Sequence, residues 1–391
     1  MTIVALVMAV RVTESSKGWV LFLRVCQSNA LCGVVNGRLR ELASPSGRDK
    51  PPFGGMDVTS AMVLHGPNAN FWLFVLNSAM SSLSRIQLTE HVYAAEQARA
   101  GTGWSNSGLV SSGRGLVVDS LYDVRLTKEL AALYAEVFPE QPGTLVNTHH
   151  NGDHCWGNQV FVGAEIIAHR GCASRFSDFT PERAEMIRTM VDPPESMRSI
   201  HEEWADFDFS DVVLTHPTTV IDSNLTIDLD DVRVDLLYVG PAHTEGDLVV
   251  HVPEEGVVLM GDVLFNKCAP IGWEGSTDNW IAALRLVEAL EPQFVVPGHG
   301  PVCDLEGLRD ARRYFEAVQN HAKASWTAGQ SVLDCCSGID LGPWVTWDEP
   351  WRLAANVHRI YRECEGAAWN TPFDASAVMA DVEELRRRLE G

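Results

Sequence analysis

The sequence predicts an α+β protein built as a four-layer αβ/βα sandwich, two sheets face to face with helices on the outer sides. Three observations lead there. Residues 85–305 fall into two strand-rich blocks, and each block finishes in helical text. The strands are short, rich in Val, Ile and Leu, and bounded by turn residues. After Pro301 the text is mainly helical to its end, which adds a C-terminal helical extension to the sandwich.

Taken in order, "RIQLTEHVYAAE" at 85–96 reads as one strand. "SNSGLVSSGRGLVVDS" at 105–120 reads as two strands joined at Gly113-Arg114-Gly115. Apolar residues in "LTKELAALYAEVF" recur at helical spacing. "GTLVNT" and "AEIIAH" are short buried strands. A helical insert follows at about 171–206, broken at Pro193-Pro194, and it reads equally as a lid or as an outer layer. The second block predicts strands at "DVVL", "LTIDL", "VRVDLLYVG", "DLVVHVP" and "GVVLMGDVLF", the last two joined at Glu254-Glu255-Gly256. The helix "TDNWIAALRLVEAL" and the strand "QFVVPG" close it. Residues 85–305 thus form the expected main domain, and 306–391 a helical region that packs on it or offers a homodimer surface.

Residues 1–84 show no sustained period of 2 or 3.6 and contain the linker-like "ASPSGRDKPPFGG". They read as a poorly defined extension, disordered or outside the working protein, with Met80 as a plausible later start. Their charge differs too: residues 1–80 carry seven Lys/Arg against four Asp/Glu, whereas the rest carries 23 against 48.

The net charge of −22 argues against nucleic acid and anionic membranes as partners, because phosphate binding needs a basic face. No run reaches the roughly 18–20 apolar residues of a membrane span. The opening "MTIVALVMAV" lacks the flanks of a secretory signal. Nine cysteines, an odd number without a C-x-x-C pair, read as reduced thiols in a cytoplasmic protein.

The chemistry concentrates in four loops that follow strands. "NTHHNGDHCWGN", residues 147–158, crowds His149, His150, Asn151, Asp153 and His154 onto one turn. "VGPAHTEGD" offers His243, "LMGDVLF" offers Asp262 and "VVPGHGPV" offers His299. Imidazole and carboxylate together suit Zn²⁺, and also Fe or Mn.

The pattern His149-x-Asn151-x-Asp153-His154, then His243, Asp262 and His299, resembles the metallo-β-lactamase-fold superfamily, whose motif is H-x-H-x-D-H followed by three single ligands. The resemblance covers about residues 85–305 and implies the αβ/βα sandwich. It implies a first metal on His149, position 151 and His243, a second on Asp153, His154 and His299, and Asp262 as the bridge. A bridging aspartate resembles the glyoxalase II-like hydrolase branch. Asn151 departs from the motif. An amide oxygen is a weaker ligand than imidazole, so the first position is expected to bind less tightly and the second to be complete. His150 cannot replace it, because neighbouring residues on an extended turn point to opposite sides; a hydrogen bond to a ligand is its expected role.

The implied activity is that of a metal-dependent hydrolase using one or two Zn²⁺ ions. Metal-bound hydroxide would cleave an ester, thioester or lactone-like bond of a small molecule. Asp153 would orient the hydroxide, and His243 or a water would protonate the leaving group. Trp156, Phe265, Lys267 and Trp273 are the candidate substrate-facing residues, with core packing an equal explanation. Other readings stand beside this one: a cyclase or lyase of secondary metabolism, mono-iron oxygen chemistry on a sulfur substrate, and a metal-stabilised binding protein without turnover.

Overall fold

The computed structural model describes residues 7–15, 18–25, 61–66, 69–74, 83–372 and 374–391. Residues 1–81 and 82–391 are separate units. In the first, β1 (Val7–Ser15) pairs antiparallel with β2 (Gly18–Val25), and β3 (Ala61–Gly66) with β4 (Ala69–Phe74). Residue periodicity predicts no elements here. The linker-like segment 43–55 and Met80 lie outside the described residues.

The second unit begins with β5 (Leu83–Gln87), β6 (Val92–Gln97), β7 (Ser107–Val110) and β8 (Leu116–Val118), a run of antiparallel neighbours. The single strand expected over 85–96 is therefore a hairpin. Thr89 turns it, its hydroxyl accepting from the Val92 amide at 3.2 Å. Helix α1 (Val124–Ala135) is capped by Asp123, whose side chain accepts from the Leu126 amide. Then come β9 (Thr144–Val146), the single turn α2 (Gly152–Cys155), β10 (Glu165–His169), α3 (Arg170–Arg175), α4 (Pro181–Arg188) and α5 (Arg198–Glu203).

The next strand is β11 (Thr219–Ile221) and not the expected "DVVL". Val213 in that stretch is 64% exposed, and its amide is held by the Gln159 side chain instead of a neighbouring strand. β12 (Leu225–Leu229), β13 (Val232–Tyr238), β14 (Leu248–Val252) and β15 (Val257–Leu259) follow. β15 is shorter than expected because Gly261, at φ 49°, turns the chain into a 3₁₀ turn that carries Asp262. The chain ends with α6 (Thr277–Glu288), β16 (Phe294–Val296), α7 (Leu305–Thr327), α8 (Val332–Gly338), α9 (Leu353–Cys364) and α10 (Ala375–Glu390).

One sheet has the order β11-β10-β9-β8-β7-β6-β5, the other β12-β13-β14-β15-β16. Alternation along the strands builds three layers of core. Leu116 and Val118 of β8, with Val92 and Ala94 of β6, face Leu248, Val250 and Val252 of β14 between the sheets. Val117 and Tyr93 turn the other way, against α1 and the 171–206 insert. Val249 and Val258 face outward from the second sheet against α6, α7, α9 and α10. The C-terminal helices thus share a core with the second sheet. Among the described residues no helix is long and apolar enough to cross a membrane.

Leu116→Ala empties a fully buried position between the sheets. It is expected to cost about 2–5 kcal/mol, seen as a lower urea midpoint with unchanged slope. Val220→Ala on the edge strand, where the side chain is 41% exposed, should stay within about 0.5 kcal/mol of wild type.

Candidate metal centre

Four loops at one edge of the sandwich bring the sequence candidates together. The turn after β9 carries His149 to His154, the β13–β14 connection carries His243, the turn after β15 carries Asp262, and the loop after β16 carries His299. His149, His243 and Asp262 form one group whose donor atoms lie within 4.8 Å of one another, and Asp153, His154 and His299 form a second. Asp262 faces both. Its Oδ2 is 3.4 Å from His243 Nε2 and 3.8 Å from His149 Nε2. Its Oδ1 is 3.0 Å from His154 Nε2 and 3.4 Å from His299 Nε2. Asp153 Oδ2 is 3.3 Å from His299 Nε2.

The ligand atoms are held by a buried aspartate that the sequence reading missed. Asp119, just past β8, accepts from the Thr148 amide and the Thr148 hydroxyl, both at 2.7 Å. Its Oδ2 is 2.9 Å from His154 Nδ1, and Thr148 Oγ1 is 3.0 Å from His149 Nδ1. Each imidazole is anchored through Nδ1, so Nε2 turns into the cavity. Asp119 sits at φ 60°, a left-handed conformation that aspartate tolerates better than most side chains. The signal was present, an aspartate directly after an apolar strand, but no ligand spacing marked it. Asn106, also missed, donates to the carbonyls of Pro297 at 3.0 Å and Gly300 at 2.7 Å and fixes the loop of His299.

The residues present fit a divalent cation. His149 Nε2 is buried and makes no hydrogen bond, a state native proteins rarely leave unanswered. Burial holds the imidazole of His149 well below its usual range and that of His243 below it, which keeps both neutral as ligation requires. Burial also lowers His299, but Asp262 and Asp153 outweigh it and raise the group to about 9. Two buried carboxylates thus draw positive charge into the cavity, and a divalent ion supplies it without protons.

Asn151 is the N-cap of α2, yet its side chain makes no cap hydrogen bond. Its Oδ1 is buried and unpartnered. For a residue type favoured at caps, the amide oxygen is thus left without a cap partner. His150 points elsewhere: Nε2 is 3.4 Å from Glu274 Oε1. Glu274 and Arg175, whose Nη2 is 3.3 Å from that same oxygen, were not anticipated.

The substrate candidates separate. Phe265 is buried and stacks on His299, centroids 5.1 Å apart and planes 3° from parallel. Trp156 is 1% exposed, packed against Tyr122 and Phe209. Lys267 turns to Asp310 at 3.3 Å and lies over Trp347. Trp273 packs on the outer core of the second sheet, its carbonyl accepting from Arg359 at 2.7 Å. Behind Phe265 lies Arg352, fully buried, 5.9 Å from the ring centre. It donates to Thr102 Oγ1 at 2.6 Å and to the Ala269 carbonyl at 3.1 Å, and pairs with Glu349. Cys155, beside the histidines, is a buried thiol pushed well up by burial, and the described cysteines are all free. Cys26 and Cys32 lie outside the described residues.

A family model described as "Metallo-beta-lactamase superfamily" matches residues 100–299. A "Metallo-beta-lactamase type 2" of Bacillus sp. (strain 170) is 24% identical over 244 residues, 59% of this chain and 81% of that protein. A "Hydroxyacylglutathione hydrolase" of Erythrobacter litoralis (strain HTCC2594) is 26% identical over 153 residues, 38% of this chain and 45% of that protein. The structure of the stereoselective inverting sec-alkylsulfatase Pisa1 from Pseudomonas sp. superposes with a TM-score of 0.56 at 14% identity, covering 74% of this chain and 52% of that one.

Asp119→Ala removes the anchor of His154 and is expected to weaken the second metal position about 10–100-fold, measured by equilibrium dialysis with Zn²⁺. In Gly298→Ala the new Cβ would lie 2.0 Å from Asp262 Oδ1. Because Asp262 faces both groups, this variant should lose metal from both positions in the same assay.

Proposed function

The chain belongs to the metallo-beta-lactamase superfamily, and from that premise we propose that it is a metal-dependent hydrolase of small acyl compounds with two adjacent metal positions, the first the weaker. One observation carries the reading: Asp262 directs one carboxylate oxygen at each histidine group. A carboxylate so placed could serve two cations at once. The first position would use His149, Asn151 and His243, and the second Asp153, His154 and His299, with Asp262 shared.

Bound there, divalent ions such as Zn²⁺ supply Lewis acidity and bring the pKa of a water to about 7. The chain's own groups do the rest. Asp153, at 14% the most exposed carboxylate of the cluster, meets the incoming substrate and orients the attacking water. The ring of Phe265, flat against His299, excludes bulk water from that side. Water adds across the acyl bond: its oxygen goes to the carbonyl carbon and a proton to the departing oxygen or sulfur. His243, neutral and committed to the first position, has no proton to spare, so a water passes that proton.

A thioester or lactone is the favoured substrate class, since a good leaving group suits a first position weakened by an amide ligand. The similarity to a hydroxyacylglutathione hydrolase supports a thioester. The net charge of −22 supports a small molecule over nucleic acid, and free thiols support the cytoplasm.

Elemental mass spectrometry on protein purified without added metal is expected to find one metal per chain in wild type and two in Asn151→His. Wild-type protein should hydrolyse activated thioesters or lactones, and Asp153→Asn should lower kcat about 10²–10⁴-fold. Metal-loaded protein that turns over no activated ester, thioester or lactone would reduce it to a metal-stabilised binding protein.

A further inference from the structure

We propose that Glu274 is an outer carboxylate that sustains metal binding at the first position, offsetting the ligand strength given up at Asn151. The proposal rests on the two-position reading above. It concerns a residue outside the seven-residue ligand pattern, on the loop between β15 and α6.

Glu274 is fastened to the segment that presents His243. Gly275, its neighbour, has φ 70°, and a Cβ there would lie 1.8 Å from the Ala242 carbonyl oxygen. Only glycine allows so close an approach with that backbone. Asn279 then ties the segment down, donating to the carbonyls of Val239 at 2.9 Å and Pro241 at 3.0 Å. The carboxylate is thereby held beside the segment that carries His243. One oxygen, Oε1, meets His150 at 3.4 Å. The other, Oε2, is buried and makes no hydrogen bond.

A buried carboxylate oxygen without a partner is costly unless positive charge lies near it. The nearby guanidiniums do not fully provide that charge. That of Arg175 is shared among Glu274 at 3.3 Å, Asp178 at 2.9 Å and Glu245 at 3.9 Å. Arg359, the other guanidinium near Glu274, also answers Glu363, so two cations face four carboxylates and this flank of the site stays negative. The two expected cations bring four positive charges, whereas the direct ligands bring only Asp153 and Asp262. A neutral amide at 151 adds none. Glu274 supplies the missing charge to the first position, and its contact with His150 at 3.4 Å holds the ligand turn in place. The second position has its own support in Asp119.

The test is a titration of chelator-stripped, full-length protein with Co²⁺, followed by calorimetry and by the visible absorption of bound cobalt. Wild type should take up two ions in a tight and a weaker step. Glu274→Gln is expected to weaken the weaker step about 10–100-fold and leave the tight step unchanged. Glu274→Asp keeps the charge with a shorter reach and should fall between the two. It also carries the test if the glutamine variant does not fold, which a melting curve of the metal-free protein would reveal. Two unchanged steps in the glutamine variant would overturn this proposal alone, as would equal weakening of both steps in a folded protein. Wild-type protein that saturates at one cobalt, or takes up none, would overturn the two-position reading together with it.

Discussion

Two carboxylates, Asp153 and Asp262, sit in a cavity walled by four imidazoles, with Asp262 only 5% exposed. Charge held so far from water must be answered by charge of the opposite sign. Much else in the structure follows from that demand. The histidines have to approach from separate loops, because no single segment could surround both oxygens of Asp262. The loops have to leave the same edge of both sheets, so strand ends from both halves of the sandwich meet there. Their side chains have to be aimed beforehand, which is the work of Asp119 and Thr148 on one side and Asn106 on the other.

The sheets make that aim rigid. Between them lie Leu116, Val118, Val250 and Leu259, each at most 2% exposed. Interiors this closely packed transmit small shifts and do not absorb them. Gly108 shows how near the layers come: a Cβ on it would lie 1.8 Å from the Leu259 side chain. The ligand loops therefore hang from strands whose relative position is fixed to a fraction of a side chain.

What the sequence made legible follows the same physics. The strands that deliver ligands are apolar on both faces and stand out as runs bounded by turn residues, so "GTLVNT" and "QFVVPG" were readable along with the groups they carry. The six metal-group residues were readable because a spaced motif puts His149, Asp153 and His154 on one turn. The edge of the first sheet was not. β11 is partly exposed along its length and carries no alternation, so "DVVL" drew the assignment instead. The hairpin at 85–96 was hidden because Thr89 turns the chain without a glycine or proline. Asp119, Glu274 and Arg352 were invisible for another reason: each acts through a partner distant in sequence, and no local pattern records such a contact.

Arg352 gives the C-terminal helices a share in the centre. Its guanidinium backs Phe265, and Phe265 backs His299. α7, α9 and α10 bury their apolar faces in the same cluster as Val249 and Val258 of the second sheet. A shortened version ending near residue 305 would therefore bare an oily sheet face and slacken the wall behind a ligand. The boundary that composition suggests at 305 marks a change of texture along the chain, not a line along which the protein can be divided. Comparative work that trims such chains to their motif-bearing core would be studying a different surface and a looser site.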